Sequence, residues 1–147
     1  LEKLLESQHP DITTLLTRSD DIYISPGARK RMIQSEQPDV FVSIHCNASS
    51  NMGANGIEVI HRDMPDEPLA KSVLNALLTQ FPSARNRGTK TDVGDLRRAL
   101  AVLDVPKIPS ILVECGFITN DKDLEMLGKK DEIASAILLG VTSWLKI

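Results

Sequence analysis

Two aliphatic runs in this sequence each end in a side chain able to bind a metal or move a proton. Val40-Phe41-Val42-Ser43-Ile44 leads directly into His45, and Ile111-Leu112-Val113 leads directly into Glu114. A neutral imidazole is a common zinc ligand. A carboxylate beside an activated water can take its proton and pass it to a leaving amine. A histidine at a strand end is also commonly a hydrogen-bonded structural residue, so His45 alone does not decide between the two readings. Glu114 is harder to assign to structure. It lies between Ile-Leu-Val and Cys-Gly-Phe, a setting that predicts at least partial burial, and a buried carboxylate is costly unless paired or functional.

The elements that must position these two residues follow from the pattern around them. The runs before His45 and Glu114 are nearly continuous and apolar, as expected for strands buried on both faces. The polar stretch 45–51 reads as the loop after the first of them. Sites in open α/β sheets form at the carboxyl ends of strands, which is where both residues fall. Residues 12–16 read as a short strand, and 56–61 as another. Ser25-Pro26 reads as N-cap and first helical residue. The helix they open carries Ala28, Met32 and Ile33 inward and Arg29, Lys30 and Arg31 outward, and it ends at Pro38-Asp39. Residues 65–81 read as a helix with Leu69, Val73, Leu77 and Leu78 on one face. Residues 82–90 are polar and contain glycine, hence a loop, and 96–103 suits either a helical turn or a strand. Asn120 caps a helix through Leu127. A last helix over 133–145 turns Ile133, Ile137, Leu138, Val141 and Leu145 inward, with Trp144 in the core. This alternation predicts a three-layer α/β domain with a mostly parallel central sheet flanked by helices.

Composition narrows the partners. The 147 residues suit one domain large enough to fold without a disulfide or metal. A net charge of −3 argues against non-specific binding to nucleic acid or to an anionic membrane. Aromatic residues are only 3% of the chain, so stacking platforms are scarce. No apolar run approaches the roughly 20 residues of a membrane span. No glycine-rich phosphate loop follows a strand, which disfavours a nucleotide-binding domain. The N-terminus has no signal-peptide pattern. It reads as part of an amphipathic helix with Leu1, Leu4 and Leu5 on one face, so the domain is expected to be cut at its start.

Five segments in order carry a family resemblance. Ser43-Ile44-His45-Cys46-Asn47-Ala48 and Pro109-Ser110-Ile111-Leu112-Val113-Glu114-Cys115-Gly116-Phe117-Ile118-Thr119-Asn120 resemble two motifs of the zinc-dependent N-acetylmuramoyl-L-alanine amidases. Gly56-Ile57-Glu58 and Arg87-Gly88-Thr89-Lys90 resemble two more. Leu16-Thr17-Arg18, with Ser25 and Arg29 after it, resembles the fifth. The resemblance covers essentially the whole chain. It implies a mixed sheet flanked by helices, of the phosphorylase/hydrolase-like kind, and zinc as cofactor. It also implies His45 as a zinc ligand and Glu114 as the catalytic acid/base. The implied substrate is peptidoglycan, cut at the amide between N-acetylmuramic acid and L-alanine. The implied place of action is the cell envelope or the outside of the cell, as a secreted autolysin or a phage lysin, and the expected state is a monomer. Asn47, Glu58, Arg87 and Lys90 are the residues expected to meet substrate. The family's first zinc histidine lies in a Gly-His-Gly-Gly turn and a zinc-binding glutamate opens its first helix; neither has a counterpart here. Residues 1–147 are therefore expected to be an amidase catalytic domain lacking its first strand and most of its first helix. A rival reading is a non-catalytic wall-binding or regulatory module that keeps the fold.

Other residues carry blander expectations. His9 belongs to a solvent-exposed turn. His61 is open to either a substrate or a surface role, and Glu58 faces solvent on alternation alone. If His45 and Glu114 turn to the site, Cys46 and Cys115 turn away from it. Two small buried hydrophobes are then favoured over a disulfide.

Overall fold

Strand β4 (Ser110–Phe117) is buried along nearly its whole length, and the sheet is organised around it. The computed structural model describes residues 2–147. It contains helices α1 (Glu2–Gln8), α2 (Pro26–Glu36), α3 (Glu67–Gln80), α4 (Asp121–Leu127) and α5 (Lys130–Leu145). The strands are β1 (Phe41–Asn47), β2 (Ile57–His61), β3 (Asn86–Thr91) and β4. Sheet order is β1-β4-β2-β3. β1 runs parallel to β4, β2 antiparallel to β4, and β3 parallel to β2. The sheet is thus mixed, with β2 reversed against β4.

One face of the sheet carries Ile57, Val59, Ile111, Val113 and Cys115. It packs on Leu69, Val73 and Leu77 of α3 and on Ile133, Ala136 and Ile137 of α5. The two helices pack so closely that a Cβ on Gly140 would lie 2.5 Å from the Val73 Cα. The other face carries Ile60 and Leu112. It is covered by Val102 and Leu103 in the 3-10 turn Ala101–Leu103, while Ile33 of α2 packs with Val105 and Ile108. Helix layers on both sides of one sheet are the arrangement the alternating pattern predicts.

Helix starts follow local chemistry. Ser25 accepts a hydrogen bond from the Ala28 N–H at 3.2 Å, with Pro26 in the first turn. Asn120 accepts from the Asp123 N–H at 3.3 Å. Trp144 packs, partly buried, against the main core.

Four expectations are corrected. β1 is not buried on both faces: Ile44, His45 and Cys46 are exposed, because β1 lies at the sheet edge and pairs only with β4 among the described residues. β1 also runs on through Asn47, so the polar stretch read as loop is ladder. Residues 12–16 form no strand, and Leu15 and Leu16 are 58% and 48% exposed; β propensity without a ladder partner leaves backbone groups unpaired. Finally, the polar segment read as a loop forms β3, whose parallel pairing with β2 depends on a distant strand and not on its own composition. Of the N-terminal helix, Leu4 and Leu5 are half-buried, and Leu1 lies outside the described residues.

Candidate active site

The register of three strands sets one row of side chains. His45 of β1 is the cross-strand partner of Glu114 of β4, and Glu114 is the partner of Glu58 of β2. Cross-strand partners share a face of a sheet, so these three residues form one row on the face that carries Ile60 and Leu112. The two strand-end residues singled out by chemistry are therefore brought together, and Glu58 joins them.

Glu58 is 3% exposed, which corrects the solvent-facing expectation from alternation. Its Oε1 accepts from Asn47 Nδ2 at 2.9 Å. Its Oε2 accepts from Arg87 Nε at 2.8 Å and from Lys90 Nζ. Burial pushes the Glu58 carboxyl up, but hydrogen bonds and charge from Lys90 and Arg87 outweigh it and hold the pKa below the ordinary value. Arg87 also lies over the Phe117 ring, 4.9 Å from its centroid. Arg87 and Lys90 are three residues apart, and strict alternation would send them to opposite faces. The ladder slips by one residue at Arg87-Gly88, where Gly88 takes φ +81°. This bulge brings both cations back to the same carboxylate.

Glu114 stands in the opposite condition. Its Oε2 is buried and has no hydrogen-bond partner. Burial, and then the nearby charge of Glu58, push its pKa up to about 7. A carboxyl poised there can both accept and return a proton near neutral pH. His45 lies at the open edge of the row. Ser43 Oγ is 2.9 Å from its Nε2. Partial loss of hydration and then the charge of Arg29 hold the imidazole pKa below its ordinary value, which favours the neutral, ligand-competent form. Arg29 is itself anchored on α2, donating from Nε to the Ile24 carbonyl at 3.2 Å and from a terminal nitrogen to Thr17 Oγ1.

Asn47, Arg87 and Lys90 thus gather around Glu58, beside Glu114. His61 does not join them. It is 3% exposed, three residues beyond Glu58 and so on the other face, with Nδ1 3.0 Å from the Asp63 carbonyl. His9 is half-buried and not fully exposed. Cys46 and Cys115 do turn to the face opposite the row, where both line one hollow. Cys115 is buried as expected, whereas Cys46 is exposed because β1 is an edge. Burial pushes the Cys115 thiol up to about 12.

Sequence reasoning missed two buried aspartates that brace the sheet, Asp123 beside the row and Asp92 at the opposite end. Asp123 accepts from the Gly56 and Phe117 N–H groups, each at 2.8 Å, and so ties the start of β2 to the end of β4. Asp92, fully buried, accepts from Arg62 and from the Val93 and Leu100 N–H groups. The acidic first turn after Asn120 was a signal for Asp123. Asp92 follows a strand that was itself unrecognised. Ser43 was visible as part of the motif but had no assigned role.

Zinc is tested by the donor set. A catalytic zinc takes about three protein donors. Among the described residues no three His, Cys, Asp or Glu side chains are grouped to hold a metal. His45 is a suitable first donor, and Glu58 is consumed by its three partners. The described residues supply only a partial donor set for zinc.

Fold and row together define a mixed-sheet α/β domain with a histidine–glutamate pair at the carboxyl ends of two parallel strands. The chain belongs to the N-acetylmuramoyl-L-alanine amidase family, whose model matches residues 1–143. It is 34% identical over 135 residues to the N-acetylmuramoyl-L-alanine amidase LytC of Bacillus subtilis (strain 168), covering 90% of this chain and 27% of that relative. The chain therefore spans about a quarter of that relative's length. Among solved structures it resembles an N-acetylmuramoyl-L-alanine amidase from Clostridium difficile 630, with TM-score 0.86 and 32% identity over 99% of this chain and 77% of the other. The catalytic domain of CwlV from Bacillus (Paenibacillus) polymyxa var. colistinus matches with TM-score 0.86 and 27% identity, over 99% and 79% of the two chains. No helix among the described residues is long and apolar enough to cross a membrane.

Proposed function

We propose that this chain carries the catalytic machinery of a peptidoglycan hydrolase acting on the amide between N-acetylmuramic acid and L-alanine of the stem peptide. The observation that carries the reading is the row itself: His45 in register with a Glu114 whose buried Oε2 is unpartnered and whose pKa is about 7. The family and its solved relatives support the same substrate class. Glu114 takes a proton from the attacking water and returns it to the departing L-alanine amine. Glu58, held ionised by Arg87 and Lys90, keeps the Glu114 carboxyl within reach of both protonation states. Zinc, with His45 as one donor, would supply a Lewis acid and a bound water of lowered pKa. Arg87 and Lys90 are each about a quarter exposed and keep N–H groups for acidic stem-peptide groups, beside Asn47. The site of action is the wall, at the cell envelope or outside it, and the chain acts as a monomer.

Two measurements test this. Supplied with a saturating excess of zinc and purified peptidoglycan, the protein is expected to release new alanine amino termini without new reducing sugar ends. Reducing ends in place of amines would overturn the bond assignment. Calorimetric titration of the 147-residue chain with zinc is expected to show weak binding that His45→Ala abolishes. Tight stoichiometric binding unchanged by His45→Ala would remove His45 from the metal.

A further inference from the structure

We propose that Asp123 is a positioning residue for the proton-transfer site: through the backbones of Gly56 and Phe117 it fixes Glu58 and Arg87 relative to Glu114. Its effect on turnover rests on the hydrolase reading above; its effect on placement does not. The ladder between β2 and β4 runs from the pair His61–Ile111 to the pair Glu58–Glu114, and no further pair follows among the described residues. The two glutamates are thus the last rung. β4 also changes register against β1 just past Glu114, and Gly116 takes φ +153°. The N–H groups of Gly56 and Phe117 both fall in this stretch beyond the ladder. One oxygen, Asp123 Oδ2, accepts both, each at 2.8 Å. Asp123 is 5% exposed, so these charge-assisted bonds are sheltered from water.

What this clamp holds is the seat of Arg87. The peptide unit between Asn55 and Gly56 gives its N–H to Asp123, and its carbonyl accepts from Arg87 at 3.4 Å. From there Arg87 reaches Glu58 at 2.8 Å and lies over the ring of Phe117, whose own N–H is the second that Asp123 takes. Arg87 therefore sits on the two backbone points that Asp123 joins, and Glu58 and Glu114 follow closely along the same two strands. Movement of either point changes the spacing of the two carboxylates. Glycine allows the close approach at both places. A Cβ on Gly56 would lie 2.3 Å from the Arg85 carbonyl oxygen, and one on Gly116 would lie 3.3 Å from Asp123. Asp123 is itself fixed, since its N–H donates to the Asn120 cap at 3.3 Å. Because a single oxygen takes both bonds, where that oxygen lies matters more than its charge. An asparagine carbonyl oxygen can accept the same pair.

The test compares Asp123→Ala and Asp123→Asn with the parent by two readouts. The first is hydrogen exchange of the Arg87 Nε–H in the metal-free protein, followed by NMR. Asp123→Ala is expected to speed it by about 10-fold or more, and Asp123→Asn to keep it near the parent rate. The second is amine release from peptidoglycan at saturating zinc. Here Asp123→Ala is expected to lower kcat by about 10-fold or more with KM unchanged, and Asp123→Asn to recover most of that loss. Should Asp123→Ala not fold, Asp123→Glu keeps the charge but moves the carboxylate by one methylene, and is expected to show the same two losses. Parent-like exchange at Arg87 in folded Asp123→Ala or, failing that, in Asp123→Glu would overturn the proposal. So would asparagine as damaging as alanine, or a rise in KM with kcat intact. A parent that releases no amines overturns the hydrolase reading instead, and the exchange rates then decide the placement by themselves.

Discussion

Glu58 and Glu114 are the same residue type, cross-strand partners on the same face of one sheet, yet they occupy opposite chemical states. Glu58 spends its oxygens on Asn47, Arg87 and Lys90, and its pKa is held low. Glu114 has a buried oxygen with no partner and a pKa raised to about 7. The difference shows that burial by itself does not decide what a carboxylate does. Satisfied lone pairs make one a structural anchor, and the missing partner leaves the other free to exchange a proton.

The sharpest break in the comparison is Glu114→Gln. It removes the exchangeable proton at constant size, so turnover on peptidoglycan should fall by about 10²-fold or more. The weak zinc affinity should stay unchanged, because Glu114 is assigned to proton transfer. Amine release at a near-normal rate would end that assignment. Glu58→Ala should do the reverse in kind. It strands two cations that now share one carboxylate, and should cost about 2–4 kcal/mol in chemical denaturation. A variant as stable as the parent would show that the Asn47, Arg87 and Lys90 contacts hold nothing.

The two carboxylates also predict opposite responses to pH. Glu114 is raised from 4.5 to about 7, so its folded state keeps a proton that the unfolded chain releases. That contribution is complete below about 4.5 and is lost as pH rises through about 7. In the metal-free chain, Glu114→Gln should therefore gain on the parent across this window, by up to about 3 kcal/mol at its upper end. Glu58 is lowered, so its contribution is present above its ordinary value of 4.5 and is lost as pH falls below it. Thermal melts from about pH 2 to 8 on the parent, Glu114→Gln and Glu58→Gln read both slopes, and slopes of equal sign would break the contrast. The smallest expected effect is at Gly88. No atom lies within 4 Å of the position a Cβ would take there. Gly88→Ala should therefore report only the strain of a left-handed backbone, about 1–2 kcal/mol. A larger loss, with Arg87 and Lys90 both released from Glu58, would mean that the bulge itself collapses.

Much of the site was legible because its chemistry stands at the ends of hydrophobic runs. His45 and Glu114 each follow aliphatic residues that have no use for a polar neighbour, so the break in pattern pointed to them. Helix starts were legible for a similarly local reason: Ser25 and Asn120 cap with their own side chains. β3 was not legible. Asn86-Arg87-Gly88-Thr89-Lys90-Thr91 has the composition of a loop and becomes a strand only because β2 offers a free edge. Residues 12–16 failed in the other direction, with strand composition and no ladder to join. The edge position of β1 was equally hidden, since the Val40–Ile44 run reads the same in the middle of a sheet or at its margin.

The sequence by itself determined which residues can exchange protons or bind a metal, which segments bury an apolar face, and where helices begin. These are properties of single side chains and short spacings. Only the tertiary structure decided what those residues became. Strand register put Glu58 beside Glu114, a one-residue bulge at Gly88 turned two cations onto Glu58, and the absence of any such donor left Glu114 unpaired. Register and bulges arise from hydrogen bonding between strands far apart in the chain, and the pKa of a carboxyl arises from everything packed around it. Neither is a property of the residue or of its neighbours in sequence.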